Sequence, residues 1–127
     1  MKKILIADDD IESARVFERL LTKYGYEVVA EPDMRKCVKK IEDDGSIGLI
    51  VIELTLLDVK STEILEKIRE IRDKRKDISV VLLSSAPETD ECTYYVVKEF
   101  GYKYKDILFK PVDFKDFLPA VQNKMDP

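Results

Sequence analysis

Four short apolar runs each stop at a residue equipped for phosphoryl or metal chemistry. Ile4-Leu5-Ile6-Ala7 ends at Asp8-Asp9-Asp10, and Leu49-Ile50-Val51-Ile52 ends at Glu53. Val80-Val81-Leu82-Leu83 ends at Ser84-Ser85, and Ile107-Leu108-Phe109 ends at Lys110-Pro111. A single acid after an apolar run is ordinarily a solvated loop residue. Acids, a hydroxyl and a lysine gathered at one rim are a different matter. Carboxylates brought together there would repel unless a cation intervened, and hard oxygen ligands suit Mg²⁺. That makes Asp8, Asp9, Asp10 and Glu53 the candidate metal ligands. Lys110 would add a second positive charge able to stabilise a phosphoryl group, while Ser84 could hydrogen-bond a phosphate oxygen.

Those runs read as strands buried on both faces of a parallel sheet, because they are continuous rather than alternating. Between them the apolar residues recur at helical spacing. Ala14, Phe17, Leu20, Leu21 and Tyr24 mark a first helix over Ile11 to Tyr24, with Gly25 placed as its C-terminal glycine. Tyr26 to Ala30 reads as a second strand. Met34, Cys37, Val38 and Ile41 mark a second helix with Asp33 as its N-cap. Ile64, Leu65, Ile68 and Ile71 mark a third, started by Ser61 or Thr62. Cys92, Tyr95, Val96 and Phe100 mark a fourth, closed by Gly101, and Phe114, Phe117, Leu118 and Val121 a last one. Five strands alternating with five helices imply an α/β domain with right-handed crossovers. Ligands then bind outside the carboxyl ends of the strands, where the candidate residues fall.

Composition narrows the function. The 127 residues suit one domain, taken as 1–127, and 45% hydrophobic content supplies a core. A net charge of -4 argues against a nucleic-acid partner. No apolar run approaches the roughly 18 residues of a membrane span. Cys37 and Cys92 form neither a disulfide framework nor a metal knuckle, so a reducing cytoplasm is the expected setting. The absence of histidine excludes a histidine base, metal ligand or phosphohistidine within the chain. The charged stretch from Arg69 to Lys76 reads as a solvated helix end whose cations complement the helix dipole.

Over nearly its whole length the chain resembles the receiver domain of two-component response regulators. Ile4 to Asp10 resembles the opening strand of that family, with Asp8 and Asp9 as its acidic pair. Gly25-Tyr26-Glu27-Val28-Val29 resembles the entry to its second strand. Leu82 to Ala86 resembles the end of its fourth strand, which puts Ser84 at the phosphate-sensing hydroxyl, and Phe109-Lys110-Pro111 resembles its lysine–proline pair, often joined by a cis bond. The resemblance implies a single flavodoxin-like (βα)5 domain, a five-stranded parallel sheet with helices on both faces. It also implies a regulatory module rather than an enzyme, with a sensor kinase or effector as protein partner. The face of the fourth helix, fifth strand and last helix (87–124) would serve output or homodimerisation, drawing on Tyr94, Tyr95, Val97, Tyr104 and Phe114. No output domain follows the last helix in these residues, so a stand-alone regulator or an excised domain is expected.

The third strand departs from the pattern. Leu49 to Ser61 aligns with the phosphoacceptor segment without a gap, and the acceptor aspartate is replaced by Glu53. Leu57 stands for the customary proline and Ser61 for the customary glycine. Ile107 holds the place of the rotameric aromatic, and the stretch around Tyr102 to Lys105 runs a few residues long. The expectation is a pseudo-receiver with weak Mg²⁺ binding, not phosphorylated at Glu53. An ordinary receiver that uses Glu53 or Asp58 is the alternative. A small phosphatase of the haloacid dehalogenase type is a weaker one, since Asp8-Asp9-Asp10 contains an Asp-x-Asp but no late acidic motif follows Lys110. A nucleotide-binding flavodoxin-like protein is weaker still, because no glycine-rich loop follows the first strand.

Overall fold

Strand and helix alternate along the chain in the computed structural model, which describes residues 2–54, 59–73, 77–85 and 91–125, with side chains except at 34, 59–62, 64, 91 and 92. The strands are β1 (Lys3–Ala7), β2 (Glu27–Glu31), β3 (Ile47–Leu54), β4 (Ser79–Ser84) and β5 (Ile107–Phe109). The helices are α1 (Ile11–Lys23), α2 (Met34–Asp43), α3 (Val59–Arg72), α4 (Glu91–Phe100) and α5 (Phe114–Met125). All pairings are parallel, in the order β2-β1-β3-β4-β5. This is the expected doubly wound (βα)5 fold.

Period-two alternation along the strands divides the core into two layers. Leu5, Ile50, Ile52, Val80, Leu82 and Ile107 face one side, packed with Cys37 and Ile41 of α2, Leu65 and Ile68 of α3 and Val96 of α4. Ile4, Ile6, Leu49, Val51, Val81 and Leu83 face the other, under Phe17 and Leu21 of α1 and Phe117 and Val121 of α5. Phe17 and Phe117 meet with ring centroids 4.4 Å apart, locking α1 to α5 across the sheet. With both faces covered, each central strand reads as an unbroken apolar run.

Local chemistry sets the helix ends. The Asp10 carboxylate accepts the Glu12 and Ser13 N–H groups and caps α1, and Asp33 does the same for α2 through Arg35 and Lys36. Gly25 and Gly101 follow α1 and α4 at φ of +91° and +78°, a left-handed conformation that a β-carbon disfavours. Pro119 lies inside α5, where it cannot donate to the carbonyl of Lys115.

Several boundaries and faces differ from the sequence expectation. β2 is displaced one residue, and α3 begins at Val59, ahead of Ser61 and Thr62. On α4 the inward stripe is Thr93, Val96, Val97 and Phe100, whereas Tyr95 is 47% exposed. Tyr24, the C-cap of α1, and Phe114, the first residue of α5, are likewise exposed. The lengthened stretch before β5 contains a 3₁₀ turn, Tyr104–Asp106. Of the charged stretch, Arg72 donates to the Ile78 carbonyl at 3.2 and 3.3 Å, and Arg69 lies 4.7 Å over the Phe100 ring. Both side chains remain exposed, in keeping with a solvated helix end, while making these contacts.

Candidate functional site

The chain crosses from β2 to β3 past β1, so the order of the sheet reverses between β1 and β3. A crevice opens at such a switch point, beyond the carboxyl ends of the strands. Asp8 follows β1, Glu53 is the penultimate residue of β3, Ser84 ends β4 and Lys110 follows β5. The register sets Glu53 beside Leu83, Leu54 beside Ser84, and Ser84 beside Phe109. Four residues far apart in sequence thereby reach one end of the sheet.

Lys110 is the centre of the arrangement. Its ammonium lies 2.8 Å from Asp8 Oδ2 and 3.4 Å from Glu53 Oε2. Asp8 is fully buried and Glu53 is 2% exposed. The second Asp8 oxygen accepts the Asp10 N–H at 2.9 Å, and Glu53 Oε1 accepts the Ser85 N–H at 2.9 Å. Every carboxylate oxygen of the pair therefore faces a donor or the ammonium. The Lys110-Pro111 bond is cis, as expected.

Two buried carboxylates share one ammonium. Burial is the largest influence on Glu53 and pushes its carboxyl above the ordinary value of 4.5, helped by the Asp8 charge and opposed by Lys110 and by Ser85 through its side chain and its N–H. For Lys110 burial alone would lower the ammonium. The Asp8 hydrogen bond and the Glu53 and Asp8 charges outweigh it, so the group titrates above 10.5.

The three acids after β1 have three different environments. Asp8 enters the buried network, Asp9 is exposed, and Asp10 caps α1. The expected convergence of Asp8, Asp9 and Glu53 on one point is not seen. Among the described residues no three carboxylate, histidine or cysteine side chains are grouped to hold a metal ion, and the Lys110 ammonium sits between Asp8 and Glu53. Donor type fits a hard divalent cation; the grouping does not. Ser84 is buried, and its carbonyl accepts the Lys110 N–H at 2.7 Å. Ile107 is buried in the core opposite Leu82. Asp58 and Leu57 lie outside the described residues, as does the Ser61 side chain. The residue missed in the sequence is Ser85, which meets Glu53 through both its side chain and its backbone N–H.

Beside Lys110 a cavity of about 570 Å³ opens between α1 and the start of α5, walled by Val16, Phe17, Pro111, Val112 and Phe114. On α4, Tyr94 and Tyr95 are exposed and Val97 is half-buried, as is Tyr104 in the 3₁₀ turn.

Residues 4–122 match the family model described as the response regulator receiver domain. The chain belongs to that family. The receiver domain is similar to a probable transcriptional regulator, ycf27, of Galdieria sulphuraria, 31% identical over 110 residues that cover 80% of this chain and 41% of the relative. It is 27% identical to the nisin biosynthesis regulatory protein NisR of Lactococcus lactis subsp. lactis over 94% of this chain and 48% of that protein. The receiver domain thus spans less than half the length of either relative. Among solved structures it is similar to a CheY-like response regulator receiver domain protein from Methanospirillum hungatei JF-1, with a TM-score of 0.79 and 25% identity over 99% of this chain and 94% of that one. Receiver domains are signalling modules of two-component systems, generally without enzymatic activity, and they bind Mg²⁺ at the phosphorylation site. Among the described residues no helix is long and apolar enough to cross a membrane. The Asp-x-Asp at Asp8 to Asp10 needs no phosphatase to account for it, since Asp10 is occupied as a helix cap.

Proposed function

We propose that this receiver domain, taken as residues 1–127, is a pseudo-receiver. On this reading it signals through protein contacts and does not accept a phosphoryl group at Glu53. The observation that supports this is the state of the Glu53 carboxylate: buried, one oxygen bound to the Ser85 N–H and the other against Lys110. Glutamate also carries its carboxylate about 1.5 Å further from the backbone than aspartate would. In-line phosphoryl transfer tolerates little displacement, and an error of about 1 Å can cost around a hundredfold in rate. Glu53 instead stands in part for a phosphorylated aspartate, its charge projected towards Lys110.

Mg²⁺ enters this reading as a weak ligand only. A solved receiver, TrrA of Thermotoga maritima, is in complex with Mg²⁺ and BeF. For Asp8, Asp9 and Glu53 to hold such an ion the Lys110 ammonium would have to give way from between Asp8 and Glu53, so binding would be weak. No chemical step depends on it. Binding should perturb amide signals around Asp8 and Asp9, and Asp9→Ala should abolish that response. Partner contacts with a sensor kinase or effector would use the exposed Tyr94, Tyr95 and Phe114, on the face also proposed for a homodimer.

Intact-mass measurement after incubation with acetyl phosphate and Mg²⁺ tests the reading. The wild type should gain no phosphoryl mass, and Glu53→Asp should gain one group, since Asp8, Ser84 and Lys110 remain in place. Stoichiometric labelling of the wild type would establish an ordinary receiver using Glu53 or a neighbour such as Asp58. A folded but inert Glu53→Asp would place the loss in Leu57, Ser61 or the long stretch before β5.

A further inference from the structure

At the other end of the sheet, the short β5 leaves half of β4 uncovered. β5 begins at Ile107 opposite Leu82, whereas β4 begins at Ser79. The Ser84 carbonyl accepts from Lys110 on the β5 side, and peptide groups alternate along a strand. The Val80 N–H and C=O therefore point the same way, towards the missing half of β5. The groups that would continue the ladder are committed elsewhere. The Asp106 N–H donates to the Lys103 carbonyl at 2.9 Å, and the Ile107 N–H donates to the Tyr104 carbonyl, both within the 3₁₀ turn. The extra residues before β5 are thus folded away from β4 and leave a cavity.

That cavity measures about 410 Å³, a volume in the range of small-molecule sites. Its lining includes the apolar Val80, Leu82 and Leu108 along with Tyr102. Three cations line it, Arg72 from the end of α3, Lys105 from the 3₁₀ turn and Lys124 from the last turn of α5, against a single acid, Asp106. None of the three cations forms an ion pair among the described residues, although the chain carries 26 acidic residues and a net charge of -4. Arg72 reaches inward to the Ile78 carbonyl, which fixes one charge at the wall.

We propose that this groove binds a small organic anion of the nucleotide class: a flat ring presenting a hydrogen-bond donor and acceptor, joined to a phosphate. The Val80 peptide offers a donor and an acceptor side by side, the apolar lining and Tyr102 take the ring, and Lys105 and Lys124 face the phosphate. Apolar walls with a few convergent polar groups are the usual composition of such sites. The groove lies away from Glu53, so it stands or falls apart from the pseudo-receiver reading.

Adenosine and guanosine 5′-monophosphates, adenosine and inorganic phosphate, each titrated into the isotope-labelled protein, test the site. One of the two nucleotides should give saturable shifts at the Val80, Tyr102 and Asn123 amides, with adenosine and phosphate alone binding more weakly. The exposed pair Lys105→Glu and Lys124→Glu should weaken nucleotide binding by about tenfold or more, and added salt should weaken it in the wild type. The proposal is overturned if neither nucleotide shifts those amides, if the shifts cluster at Asp8 and Lys110, if phosphate alone binds as tightly, or if the double charge reversal changes nothing.

Discussion

The two ends of the sheet handle charge in opposite ways. At the carboxyl ends of the strands, Asp8, Glu53 and Lys110 are buried together, and each is engaged by the others or by a backbone N–H. At the amino ends, Arg72, Lys105 and Lys124 surround a groove with no ion pair among the described residues. The first arrangement is tightly coupled to folding, because ions moved out of water depend on their partners. The second is coupled to folding hardly at all, since its lysines remain solvated. A buried network can be legible as family ancestry and yet be chemically committed, while a solvated cluster keeps its charges available.

The largest expected effect lies in the buried network. Lys110→Met should destabilise the protein by about 3–5 kcal/mol near neutral pH, because it strands two carboxylates in the interior. The loss should shrink in acid as those groups take up protons, which chemical denaturation at several pH values would measure. A small, pH-independent loss would show that the network is better hydrated than its burial implies. Ile107 joins the two ends, lying under the rim at the start of β5. Ile107→Tyr, which restores the aromatic of the family pattern, should cost about 1–3 kcal/mol by overpacking the layer against Leu82. An unchanged melting temperature would mean that the layer has room for an aromatic switch.

A smaller effect is expected at Glu53. Its carboxyl titrates above 4.5 in the folded protein, so folding favours the uncharged form. That contribution is complete below pH 4.5 and is lost as pH rises through the elevated value. Glu53→Gln should therefore be more stable than wild type at neutral pH, with the advantage closing in acid. A carboxyl-carbon titration of Glu53 should give a midpoint above 4.5, and one at or below it would reverse the sign. The smallest effect belongs to the groove. Lys105→Glu with Lys124→Glu should change stability by no more than about 0.5 kcal/mol, as is usual for solvated surface positions. A larger loss would make those lysines structural.

Much of this architecture was legible because buried parallel strands are written as plain apolar runs. Ile107–Phe109 was read to the residue, and the Gly25, Asp33 and Gly101 helix-end signals all hold. Faces were harder. Tyr95 fits a helical stripe as well as Thr93 does, and only packing against the sheet decides which turns inward. At the site, Asp8, Glu53, Ser84 and Lys110 were legible as strand-end residues. Their partners were not. Asp8-Asp9-Asp10 reads as one acidic cluster, yet one member is a helix cap, and Ser85 lies one residue past the strand end, where only the fold brings it against Glu53. The groove was invisible because it depends on where β5 stops, a matter of hydrogen bonds inside a 3₁₀ turn.

Pro119 gives the last helix an unequal inheritance. Its missing N–H removes the bond to the Lys115 carbonyl, so the first turn of α5 is secured by Asp113, whose carbonyl accepts from Asp116 and Phe117 and whose carboxylate accepts the Lys115 N–H, and by the Phe17–Phe117 contact. Residues beyond it retain an uninterrupted ladder and the buried Val121. Local openings draw on the least secured segments first. Amide protons of the first turn should exchange with solvent ahead of those from Val121 onward, so that α5 comes loose from the end nearest Lys110.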